Sequence, residues 1–180
     1  LRWIEKILGC SIEALIVPLD YVWACDRPDR KYPWKASGTD PAGEPRPPLE
    51  FLPTGGRGGK GCLAIRDGSA RGNAHALTPA LPVLPGKGYV LRGWIRHEGE
   101  GEGVAGACLN LAVGGRLTKQ VKTASFPATR KWTPFGISFS PIPEGTTGLI
   151  PYILPRAPGQ PHETTGAVLF DDLRIAELPE

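Results

Sequence analysis

The sequence contains no run of roughly 18 to 20 apolar residues, the length a bilayer-crossing helix needs, so no such span is expected. It has no Cys-x-x-Cys pair, and Cys10, Cys25, Cys62 and Cys108 have no histidine at zinc-ligand spacing. The even count allows disulfides, but the spacing is not that of a dense disulfide framework. Charge of one sign is also missing. The formal net charge is +3, with Lys and Arg scattered and no basic run interleaved with aromatics, which argues against nucleic acid as a partner.

Signatures of catalysis are equally scarce. There is no Gly-x-Ser-x-Gly, and His75, His97 and His162 stand apart from nucleophile motifs, so all three read as surface or loop histidines. Glu98, Glu100 and Glu102 crowd one glycine-rich tip, a solvated hairpin rather than the carboxylate pair of a glycosidase. Gly55-Gly56-Arg57-Gly58-Gly59 lacks the Gly-Lys-Ser/Thr ending of a phosphate cradle and reads as a flexible turn. No enzyme is expected. The chain opens at Leu1 without an initiator Met or a signal pattern, which suggests a mature or truncated product.

What is abundant is turn chemistry. With 24 Gly and 20 Pro among 180 residues, many short strands are favoured over a helical bundle. Residues 1–25 read as a short amphipathic helix ending at Gly9, followed by an edge segment broken at Pro18. Residues 26–61 read as a Pro/Gly-rich loop region with a short strand at Leu49 to Leu52, and Tyr32 and Trp34 stand out as loop aromatics. From 62 to 180, alternating segments recur at strand spacing, which predicts an all-β antiparallel sandwich.

Its central segment is Gly86 to Arg96. A turn after Pro85 leads into a strand whose Tyr89, Leu91, Gly93 and Ile95 face one way. Val90, Arg92, Trp94 and Arg96 face the other, setting guanidinium groups around an indole. That set can stack on and hydrogen-bond a flat polar ligand. The alternative is structural: a loop covers Trp94 while the arginines face water. The strand from Ala105 should send Ala107, Leu109, Leu111 and Val113 inward and Cys108, Asn110 and Ala112 outward.

Four pieces occur in order: Gly61-Cys-Leu-Ala-Ile, Leu84-Pro-Gly-Lys-Gly-Tyr-Val-Leu-Arg-Gly-Trp-Ile-Arg, Lys131-Trp-Thr-Pro-Phe, and Val168-Leu-Phe-Asp-Asp-Leu-Arg-Ile. Together, over about residues 49–178, they resemble the galactose-binding-like jelly rolls, most of all the carbohydrate-binding modules of glycoside hydrolases. The usual Asn-Gly-Asp/Glu-Phe-Glu text of a first strand is absent, and residues 11–25 stand in its place. The resemblance implies a glycan partner on a concave sheet and an extracytoplasmic location. Outward residues suited to a sugar are Arg92, Trp94, Arg96, Asn110 and Tyr152, taken as one contact surface. Trp132 is read as a core plug at the start of its strand. The resemblance also implies a structural calcium, for which Asp171 and Asp172 offer oxygen ligands, against the alternative of an Asp capping a bulge. A rival use of the same sandwich is docking to another protein chain, in an assembly reached through the N-terminal segment and associated with a membrane.

Overall fold

The computed structural model describes residues 19–37, 49–67, 74–99, 103–157 and 166–179. The expected helix at 1–9, Cys10, the break at Pro18, Glu100, Glu102 and His162 lie outside them. Among the described residues twelve strands follow in order: β1 (Asp20–Val22), β2 (Lys35–Ser37), β3 (Leu49–Leu52), β4 (Cys62–Asp67), β5 (His75–Leu77) and β6 (Leu81–Pro82). Then come β7 (Tyr89–Gly99), β8 (Gly103–Val113), β9 (Arg116–Ala128), β10 (Thr133–Phe139), β11 (Gly148–Leu154) and β12 (Gly166–Glu177).

They form two antiparallel sheets. One runs β10-β7-β12-β4-β3 with β1 also on β12; the other runs β2-β5-β11-β8-β9 with β6 also on β11. The Pro-rich stretch is therefore drawn into the sandwich, because β1, β2 and β3 each pair with later strands. The core is built from one face of each sheet, as period-two patterning requires. Leu63, Ile65, Tyr89, Leu91, Ile95, Val168 and Phe170 from the first sheet meet Ala107, Leu109, Leu111, Leu149 and Ile153 from the second.

Three expectations are corrected by this packing. Trp34 is no loop aromatic at large: it is 4% exposed, its ring 5.1 Å from that of Trp23 and tilted by 50° within the core. His97 is only 3% exposed, since β7 continues through Gly99 and keeps its alternation, so the residue two past Ile95 points inward. Val113 is exposed instead of buried, because β8 runs out of the sandwich into the turn before β9.

Candidate functional site

β7 puts Arg92, Trp94 and Arg96 on the outer face of the first sheet, while β8 and β11 put Asn110 and Tyr152 on the outer face of the second. The core lies between. The five residues expected to form one surface are thus split between opposite sides of the sandwich.

On the first sheet, the aromatic and cationic groups are largely occupied by the protein itself. The turn after β3 folds over this face. Its Arg57 guanidinium lies 3.7 Å from the Trp94 ring centroid, a stacked cation–π contact. The Arg57 N–H donates to Asp171 Oδ2 at 2.6 Å, and its Nη1 reaches Asp172 Oδ2 at 3.3 Å. Gly56 permits this approach, because a Cβ there would sit 2.8 Å from Asp171 Oδ2 and 2.7 Å from the Lys60 carbonyl. The glycine cluster expected to be a flexible turn is tied down. Arg96 is tied down as well: it donates to the Gly55 carbonyl at 3.1 Å and to Glu98 at 2.6 Å, with its guanidinium 5.0 Å from Trp132. Trp132 is not a plug of the main core. It packs on a second small cluster of Cys62, Ala64, Ala167 and Leu169 on this outer side.

The aspartates explain the turn. β12 bulges between Asp171 and Arg174, with Asp172 at φ 48°, a left-handed conformation that Asp tolerates better than most residues. Asp171 is 5% exposed, and its Oδ1 accepts the Asp172 N–H at 2.7 Å while Oδ2 accepts that of Arg57. Burial pushes its carboxyl above the ordinary carboxylate value, against the two N–H bonds and Arg57, which pull it down. Calcium wants six to eight oxygens free to face it. Here both Asp171 oxygens accept backbone N–H groups, a guanidinium sits against Asp172, and no group of three or more His, Cys, Asp or Glu among the described residues could hold a metal. The donor set does not fit the ion.

The second sheet's outer face is different. Tyr152 pairs with Leu77 on one side and Cys108 on the other, and its ring lies 5.4 Å from that of His75, tilted by 39°. Asn110 lies diagonally across from it, opposite Ile150, at the roughly 7 Å spacing of such pairs. Thr123, exposed on β9, pairs with Cys108 and shares a 3.4 Å contact with its thiol. Tyr152, Cys108 and Thr123 therefore lie in register across the sheet, with His75 and Asn110 diagonal to Tyr152 on either side. At both ends the face is closed in. A Cβ on Gly148 would meet Ala80 at 3.0 Å, and one on Gly106 would meet Ala157 at 3.2 Å. Asn110 Oδ1 is buried and has no hydrogen-bond donor among the described residues. An acceptor left so costs about 1–3 kcal/mol.

Two antiparallel sheets in this arrangement make a jelly-roll sandwich, and solved structures agree. The CBM22-1 xylan-binding domain of Paenibacillus barcinonensis Xyn10C superposes with a TM-score of 0.59 at 15% identity, over 90% of this chain and 94% of that one. The CBM22-1–GH10 modules of Clostridium thermocellum Xyn10B, complexed with xylohexaose, give 0.58 at 18% identity over 82% of this chain and 26% of that one. The enzymatically active domain of bacteriophage CBA120 tailspike protein 4 gives 0.58 at 10% identity, over 82% of this chain but 19% of the tailspike. Identities this low establish the fold. No protein-family model matches the chain, and no curated protein matches it in sequence.

Proposed function

We propose that this chain is a non-catalytic carbohydrate-binding module of an extracytoplasmic protein, and that it takes a glycan across the outer face of the β2-β5-β11-β8-β9 sheet. The observation that carries the reading is the half-buried Tyr152 ring on this face, with Asn110 and the exposed Thr123 around it. A pyranose offers an apolar ring face for the aromatic and hydroxyls for the polar groups beside it. The similar modules described as xylan-binding make xylan the first ligand to try. A glycan array followed by titration calorimetry tests this. Tyr152→Ala should weaken the bound glycan by more than about 1 kcal/mol, a factor of five or more, with melting almost unchanged. Silence across the array, or binding indifferent to Tyr152→Ala, refutes the assignment.

A second reading, protein docking, is favoured by one feature. Leu117 and Val121 are 54% and 50% exposed on β9, an edge strand of the same sheet. Exposed apolar residues on a free edge suit pairing with another chain. Silence on the array together with a co-purifying partner would select it.

A further inference from the structure

The outer face of the first sheet carries, beside the Arg57–Trp94 stack, a depression of about 440 Å³, within the range of small-ligand sites. Its apolar wall is Val22, Trp94, Pro134 and Phe135, and its cationic wall is Arg92 and Arg174, with Asp172 at the rim. We propose that this depression is a second binding site, specific for a carboxylate-bearing sugar ring, and independent of the glycan face on the other sheet.

The arginine pairing asks for an anion. Arg92 and Arg174 stand directly opposite each other on neighbouring strands, a like-charge pairing that destabilises a sheet unless something offsets it. Arg174 is satisfied by a two-pronged bond to Asp20 at 2.6 and 2.5 Å, and Arg57 by Asp172. The Asp20 carboxyl is held below its ordinary value chiefly by its hydrogen bond from Arg174, with a lesser pull from Arg92. With Asp171, which accepts the Arg57 N–H, three guanidinium groups face three carboxylates, so the formal charges balance. What stands unmatched is the hydrogen bonding of Arg92, exposed and with no hydrogen-bonded partner among the described residues.

The shape asks for a ring. Opposite Arg92 on its other side stands exposed Gly136, which puts no side chain beside the guanidinium. A Cβ built there would touch only the Leu91 carbonyl, at 3.8 Å, so packing does not require the glycine. A sugar lying between Trp94, Pro134 and Val22 would bring an equatorial carboxylate against Arg92, whose planar fork matches carboxylate geometry. Neutral sugars would meet the same wall without that charge.

The experiment is an NMR and calorimetric titration of the full chain with tetragalacturonate, and with a neutral galactose tetramer as the paired probe. Expected: the acidic probe shifts the Trp94 indole resonance, binds at least five-fold more tightly than the neutral one at low salt, and weakens as salt is raised. Arg92→Ala and Gly136→Leu should each weaken it five-fold or more, the first by removing the charge and the second by crowding the guanidinium, while xylan binding on the opposite face persists. Equal affinity for both probes, an unmoved Trp94 resonance, or Arg92→Ala and Gly136→Leu variants that are folded by circular dichroism yet bind as tightly as the parent would overturn the proposal. Failure on xylan alone concerns the glycan face and leaves this site standing.

Discussion

The two outer faces of the sandwich carry similar residue types and use them differently. On the first sheet, Trp94 is stacked by Arg57, Arg96 is bonded to Gly55 and Glu98, and the aspartates hold a turn. On the second, Tyr152 and Asn110 have fewer internal partners, and the amide oxygen has no donor. Arginine next to tryptophan on a strand signals interaction, and the partner is as readily the protein's own loop as a ligand. Buried polar atoms without a partner among the described residues occur on both faces, Arg96 Nε on the first and Asn110 Oδ1 on the second, so the loop over Trp94 is what separates them.

The comparison presupposes that both faces rest on one rigid core, and the strongest perturbation tests that. Leu91 lies on the inward side of β7 and is fully buried. Leu91→Ala should cost about 2–5 kcal/mol in chemical denaturation, the range for truncating a buried leucine. A loss below about 1 kcal/mol would mean that the inward and outward sides of β7 are reversed.

Asp171 comes next, because it holds the turn that covers Trp94. Asp171→Ala deprives the Arg57 and Asp172 N–H groups of their acceptor and should cost about 2 kcal/mol. Excess chelator should leave the melting temperature of the parent protein unchanged; a fall would mean that a metal, rather than the N–H groups, holds the aspartates. The pH dependence has a definite sign. Because burial raises the folded carboxyl above 3.8, the stability linked to its protonation is complete below that value and is lost as pH rises through the folded pKa. The Asp171→Ala variant should lack that loss, as read from melts between pH 3 and 7.

Much of this was legible in the sequence. Alternation alone placed Leu91 and Ile95 inward and Arg92, Trp94 and Arg96 outward, and burial along β7 follows it residue by residue. Alternation says whether a side chain faces the core, but not which sheet it belongs to. Arg92 and Asn110 both read as outward, yet β7 and β8 lie in different sheets, so the two share no surface. Sheet membership depends on pairings between strands distant in sequence, such as β1 with β12, where Val22 meets Arg174. The same limit hid the Arg57–Trp94 contact. A loop 37 positions upstream supplies the cation, and no local pattern around Trp94 announces it. One signal was present: a lone arginine inside four glycines has no turn role of its own, and an Asp-Asp pair elsewhere in the chain could receive it.

Arg57→Ala is the gentlest test and the one that most sharpens the contrast between the faces. The substitution keeps the backbone N–H that Asp171 accepts, so the turn should stay in place. What it removes is the stack on Trp94 and a contact with Asp172 in which the two side chains are 46% and 54% exposed. An ion pair that exposed contributes little, and a cation–π contact at the surface about 0.5–1 kcal/mol, so the whole loss should be near that figure. The Trp94 indole resonance should shift and its hydrogen exchange accelerate, because the ring loses its cover. Xylan affinity should stay within two-fold of the parent, since Tyr152 and Asn110 lie on the opposite sheet. If uncovering Trp94 instead changes that affinity several-fold, glycan is bound on the latched side, and the roles given to the two faces must be exchanged.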